Sequence, residues 1–100
     1  GGADPATLTS LDLSGKGLTD ITFLSAAVHL EELDLSDNDL TDISPLAALT
    51  GLKRLDLSDN QITDVNVLLA LSALEKLNLR GNPIEDDTAL AFLPGTEITR

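Results

Sequence analysis

The sequence has no cysteine, and this absence excludes disulfide bonds and thiolate metal sites. Because cysteine-free proteins occur in both reducing and oxidising compartments, the composition leaves the localisation unknown. Tryptophan and tyrosine are also absent, and there are only two phenylalanines. The aromatic side chains that anchor many binding surfaces and stack on nucleic-acid bases are therefore almost missing.

Basic residues are scarce: six Lys and Arg stand against 17 Asp and Glu, so the formal net charge is -11. Such a chain repels phosphate backbones and anionic lipid, which argues against nucleic-acid binding. No apolar run approaches the ~18–20 residues of a membrane span, and residues 1–5 are neither basic nor strongly apolar. We therefore expect no membrane insertion and no signal peptide.

The chain is organised by an internal repeat of 22 residues. The pattern L-x-x-L-x-L, where x is any residue, opens at Leu8, Leu30, Leu52 and Leu74. With 42% hydrophobic residues there is enough apolar material for a core, and 100 residues fit one domain. We assign residues 1–100 to it, with a flank (1–7), repeats 8–29, 30–51, 52–73 and 74–95, and a tail (96–100).

The repeat resembles the leucine-rich repeat family. Its 22-residue period and the stretch TDISPLAALTGL (41–52) are similar to a short bacterial subclass, the internalin-like or phosphatase-regulator-like repeats. The resemblance implies an α/β fold, a right-handed solenoid with a short parallel β-sheet on its concave face and 3₁₀ turns on its convex face. It also implies a non-catalytic module that binds other proteins.

The residues support this fold without the family name. The alternation Leu-x-Leu, as at Leu33 and Leu35, predicts one short strand per repeat. Identical strands at a fixed interval can form a parallel sheet only if each repeat loops back. The return segment predicts a short helical turn, with N-caps at Thr22, Ser44, Asn66 and Thr88.

One asparagine follows each strand of the last three repeats: Asn38, Asn60 and Asn82. At this point the chain leaves the sheet and its peptide groups lose their partners, which an asparagine side chain can replace. We interpret the three as a structural asparagine ladder. The first repeat has Lys16 instead, and no earlier coil is available there for a bond.

Outward-facing strand residues form columns on the concave face when repeats stack. We predict a partner-binding surface made of Asp12, Asp34, Asp56, Asn78, Glu32, Arg54, Lys76 and Arg80. Adjacent aspartates repel one another. The column could be a solvated polar face, could recruit a cation or a basic partner, or could be neutralised by Arg54, Lys76 and the neighbouring serines.

No metal site, cofactor or catalytic residue is assigned. Asp20, Asp42, Asp64 and Asp86 form a second column, which we expect to accept hydrogen bonds from turn amides. The stretch from Asp37 fails the calcium-loop pattern. The single histidine, His29, stands at an exposed repeat edge without a nucleophile partner, so we expect no enzyme.

The sequence thus favours a protein-interaction module that presents an acidic concave face to a protein partner with a basic surface. The alternative is an engineered or excised consensus-like scaffold with no ligand beyond self-association. Since residues 1–7 contain no recognisable cap, we also expect a homodimer through the N-terminal repeat.

Overall fold

The computed structural model describes residues 8–100, so the flank of residues 1–7 lies outside the described residues. Each repeat supplies one three-residue strand, and a further strand follows the fourth repeat. The strands are β1 Ser10–Asp12, β2 Glu32–Asp34, β3 Arg54–Asp56, β4 Lys76–Asn78 and β5 Glu97–Thr99. They form one parallel sheet in the order β1-β2-β3-β4-β5. This sequential order is that of a solenoid, in which each coil contacts only its neighbours.

Strand β5 lies in the segment that the repeat pattern assigned to a tail. Its register pairs Lys76 with Glu97 and Leu77 with Ile98. The last coil is therefore one residue shorter than the 22-residue period. Because this segment lacks the L-x-x-L-x-L pattern, the strand becomes visible only through its pairing with β4.

A 3₁₀ helix lies between successive strands, as predicted. The helices are η1 Thr22–Ala26, η2 Ser44–Ala48, η3 Asn66–Ala70 and η4 Thr88–Phe92. The prediction of N-caps is wrong, because Thr22, Ser44, Asn66 and Thr88 are each the first residue inside the helix. Within residues 8–100 no helix has the length and apolar character needed to cross a membrane.

The core is one continuous row of leucine, isoleucine and valine layers between the sheet and the 3₁₀ helices. Leu30, Leu35 and Leu40 of the second coil are fully buried. The fourth coil departs from this pattern at Asp87, where earlier coils bury Ile21, Ile43 and Val65. Asp87 is exposed and its carboxylate accepts from the Arg100 guanidinium.

Candidate interaction surface

The outward side chains of the five strands line an open groove of about 440 Å³ on the concave face. Its lining includes seven of the predicted binding residues: Asp12, Glu32, Asp34, Arg54, Asp56, Lys76 and Asn78. Arg80, also predicted, does not line it, because it follows the end of β4. Glu97 and Thr99 of β5 line the groove and were missed, since the repeat pattern stops before that strand.

Strand alternation divides the groove into two columns. The middle residue of each strand is a leucine or isoleucine that packs against the core, so the first and third residues face outward. The first residues make a mixed-charge column: Ser10, Glu32, Arg54, Lys76 and Glu97. The third residues make an aspartate column of Asp12, Asp34 and Asp56, which continues into Asn78 and Thr99.

The mixed-charge column neutralises itself. Arg54 Nη1 lies 2.8 Å from Glu32 Oε1, and Lys76 Nζ lies 3.9 Å from Glu97 Oε2. The hypothesis that Arg54 and Lys76 neutralise the aspartates is therefore wrong. Parallel register sets Arg54 beside Glu32 of the preceding strand and Lys76 beside Glu97 of the following strand. All four side chains are more than half exposed, so these pairs add little to stability.

Each member of the aspartate column is held by the serine two residues later. The Oδ1 atoms of Asp12, Asp34 and Asp56 accept the serine hydroxyl at 2.6 to 2.7 Å and the serine N–H at 2.9 Å. The neighbouring serines therefore bond to the aspartates as hydrogen-bond donors but do not remove their charge. These bonds lower the pKa of Asp12, the Ser14 hydroxyl contributing most, and so favour its charged form.

Within residues 8–100 no lysine or arginine forms an ion pair with the aspartate column, and at Asp12 a basic side chain, Lys16, helps to lower the pKa. Asp12 is in register with Asp34, and Asp34 with Asp56. At ~4.8 Å between strands, neighbouring carboxylates repel by about 1 kcal/mol in a water-like dielectric. The groove lining holds five carboxylates and two basic side chains, which leaves a charge of -3. A cationic group placed over this column would relieve the repulsion.

Comparison with known families and structures fits this architecture. The family model described as "Leucine Rich repeats (2 copies)" matches residues 6–48, 28–69 and 50–92. The chain belongs to the leucine-rich repeat family. No curated protein matches the chain.

The solved structures to which the chain is similar include bacterial leucine-rich repeat proteins. The chain is similar to the internalin inlF of Listeria monocytogenes, with 33% identity and a TM-score of 0.91 over 95% of this chain. It is also similar to internalin C2 of the same organism, with 38% identity and a TM-score of 0.85 over 92% of this chain. A Leptospira interrogans leucine-rich repeat protein matches 80% of this chain and 22% of its own, at 30% identity and a TM-score of 0.68.

The chain spans only 28% and 41% of the lengths of the two internalin chains. The leucine-rich repeat fold is generally a protein-interaction module.

Asparagine side chains connect successive leucine-rich repeat coils behind the groove. Asn60 is 1% exposed, and its Nδ2 donates to the carbonyls of Leu57 in its own coil and Leu35 in the preceding coil, both at 3.0 Å. Its Oδ1 accepts the Leu40 N–H at 3.1 Å. Asn38 and Asn82 also bond to the coil before them. These bonds fix the spacing of the strands that carry the groove.

The second column of aspartates borders the 3₁₀ helices of the leucine-rich repeats on the other face. The Oδ1 atom of each accepts the N–H of the first helical residue, at 2.8 to 3.0 Å. The predicted bonds to turn amides are confirmed: the aspartates, and not the residues directly before the helices, accept the first helical N–H groups. Within residues 8–100 no group of three or more histidine, aspartate or glutamate side chains is placed to hold a metal ion.

Proposed function

We propose that the chain is a non-catalytic interaction module that binds a protein partner in the concave groove, with basic side chains of the partner over the aspartate column. The observation that carries this proposal is the row of three charged side chains, Asp12, Asp34 and Asp56, none of which forms an ion pair within residues 8–100. Other charged side chains of the groove pair with each other. A partner with a basic surface is the complementary one.

The groove favours recognition by charge over recognition by apolar contact. Its strand leucines turn inward, and Leu33, Leu55 and Leu77 are each at most 3% exposed, so these three offer almost no apolar surface to a partner. Fixed strands lose little conformational entropy on binding. Charge complementarity of this kind accelerates association and weakens as salt screens it. We therefore expect fast, salt-sensitive binding.

A peptide probe with three arginines alternating with serines tests the proposal. In an extended peptide, alternate residues lie about 6.7 Å apart, so three arginines span the three coils of the aspartate column. We expect binding at low salt to weaken about tenfold in the double variant Asp34→Asn, Asp56→Asn. The fold is preserved because Asn78 Oδ1 already accepts an equivalent N–H, that of Arg80, at 3.0 Å.

The matched control is the double variant Asp37→Asn, Asp59→Asn, which removes two exposed charges just after the same two strands but outside the groove lining. It should bind the probe as the unaltered chain does. Equal affinity in the control and in the Asp34→Asn, Asp56→Asn variant would contradict the proposal. Absence of binding to all forms would favour the alternative, a consensus-like scaffold without a ligand.

A second candidate function is self-association through the first coil. Leu11, Leu13 and Leu18 are only partly buried, whereas their counterparts in the second coil have almost no exposure. Strand β1 is also an edge of the sheet within residues 8–100. We propose that a second copy covers this end as a homodimer, because covering an apolar end gains about 25 cal/mol per Å².

Sedimentation at several protein and salt concentrations tests this candidate. We expect a dimer that strengthens as salt rises, since salt screens the repulsion between chains of charge -11. Ser10→Pro should weaken it, because proline removes an edge N–H and blocks strand pairing. A monomer under all conditions would contradict the dimer and leave the groove proposal untouched.

A further inference from the structure

Large apolar side chains are exposed on the convex side of the molecule. Among residues 8–100, the exposed ones are Phe23, Val28, Leu69 and Phe92, with exposed fractions of 55, 46, 47 and 72%. Phe23, Leu69 and Phe92 belong to the 3₁₀ helices, and Val28 follows one closely. The two phenylalanines are the only aromatic residues of the whole chain. Aromatic side chains are enriched among residues that dominate binding energy.

Packing does not require phenylalanine at these two positions. In the other coils the position of Phe23 is held by Pro45, Val67 and Ala89, and that of Phe92 by Ala26, Ala48 and Ala70. All coils form the same five-residue helix whichever residue is present. The two phenylalanines therefore add exposed apolar surface that the fold itself does not use.

The helices that carry these side chains form an uncharged surface, which we call the convex strip: Thr22–Ala26, Ser44–Ala48, Asn66–Ala70 and Thr88–Phe92. None of these residues is acidic or basic, although the chain has a net charge of -11. The strip continues through all four repeats, because each 3₁₀ helix contacts the next. An uncharged strip with exposed phenylalanines is suited to apolar contact with another protein.

One border of the convex strip is acidic. Asp20, Asp42, Asp64 and Asp86 are exposed and lie two residues before the helices, in what we call the aspartate row. Hydrogen bonds from the first helical residues lower the pKa values of Asp20, Asp42 and Asp86, so these carboxyls remain charged in mildly acidic solution. No lysine or arginine of the described chain pairs with the row.

A depression joins the strip to the row between the second and third coils. Its volume is about 260 Å³, and its lining includes Ile43 and Val67 together with Asp42 and Asp64. A lysine or arginine has an apolar stem and a charged head. Such a side chain fits this mixture of apolar wall and carboxylates.

We propose that the convex strip binds an amphipathic α-helix of a protein partner, with its apolar face on the strip and its Lys or Arg side chains beside the aspartate row. The first and fourth coils are at least about 14 Å apart, which corresponds to roughly ten residues of α-helix. The helix pitch of ~5.4 Å is close to the ~4.8 Å coil spacing, so successive turns meet successive coils. A second copy fits less well, since it brings another aspartate row and no basic residue on its own strip.

The probe is a designed helical peptide of about 15 residues, with leucine at positions 2, 6, 9 and 13 and lysines along one flank. Its affinity for the chain is measured by fluorescence anisotropy. We expect Phe23→Ala and Phe92→Ala each to weaken binding about tenfold. Alanine already stands at these positions in other coils, so both variants should fold. The double variant Asp42→Asn, Asp64→Asn should weaken binding severalfold and reduce its salt dependence, while each asparagine oxygen still accepts the helical N–H.

The matched control is the double variant Asp37→Asn, Asp59→Asn, which removes the same charge from exposed positions outside both the convex strip and the groove lining and should leave the affinity within twofold. Three results would overturn the proposal: no binding at millimolar peptide, unchanged affinity in both phenylalanine variants, or equal binding of a peptide with glutamate in place of lysine. Self-association that is lost in the phenylalanine variants would also overturn it, because a second copy would then cover the strip.

Discussion

Asn60 is the side chain whose removal tests coil stacking most directly. In Asn60→Ala the carbonyls of Leu35 and Leu57 each keep one bond, from Asn38 and Asn82 respectively. The N–H of the buried Leu40 loses the acceptor that Asn60 Oδ1 provides. The effect is therefore dominated by one unsatisfied buried donor, and such a group costs about 1–3 kcal/mol.

We expect Asn60→Ala to lower the free energy of unfolding by about 2 kcal/mol. Urea unfolding should be followed by circular dichroism, because the chain has no tryptophan or tyrosine for fluorescence. With a denaturant dependence of about 2 kcal/mol per molar urea, the midpoint should fall by about 1 M. The exposed neighbour Gln61 provides the control, and Gln61→Ala should stay within about 0.5 kcal/mol. A loss as small as that in Asn60→Ala would refute the reasoning.

Three further measurements address the groove, the aspartate row and a turn. Asp34→Asn should leave the unfolding free energy within about 0.5 kcal/mol in urea titrations, because Asn78 shows that an amide oxygen accepts the same N–H. The lowered pKa of Asp42 implies stability that is present above its ordinary value of 3.8 and lost as pH falls through the folded value, so Asp42→Asn should show a smaller loss of thermal stability in acid. Gly81 has a φ of 78°, so Gly81→Ala should cost about 1 kcal/mol or more in the same titration, whereas Gly95→Ala has free space and should cost less than half of that.

The repeat pattern predicted the architecture because each coil carries the same local information. Leucines at period two specify a strand, and their recurrence every 22 residues leaves stacking as the way to bury them. The parallel sheet and the 3₁₀ turns are both confirmed. Strand β5 escaped prediction because Ile98 is a single apolar residue in a coil of different length, and only the exposed edge of β4 makes it a strand.

The residue types at the helix starts led to a wrong prediction of the N-caps. Thr22 and Ser44 belong to residue types that favour the N-cap, yet an aspartate two residues earlier already accepts the N–H that starts the helix. The signal was present in the sequence, since the aspartates had been assigned to turn amides. The structure shows that each aspartate accepts the N–H of the very residue that we had predicted as the N-cap.

The concave columns show which properties of a side chain follow from the repeat pattern and which depend on the folded chain. Alternation determined that Asp34 and Arg54 face outward, because side chains of a strand point to opposite faces in turn. The partner of Arg54 depended on strand register, which sets it beside Glu32 and leaves the aspartates without an ion pair. Phe92 is a large apolar residue, yet the stacked coils leave its repeat position exposed, as they do at Ala26, Ala48 and Ala70. Sequence periodicity fixes which face a side chain occupies, whereas pairing and exposure depend on neighbours that only the folded chain brings together.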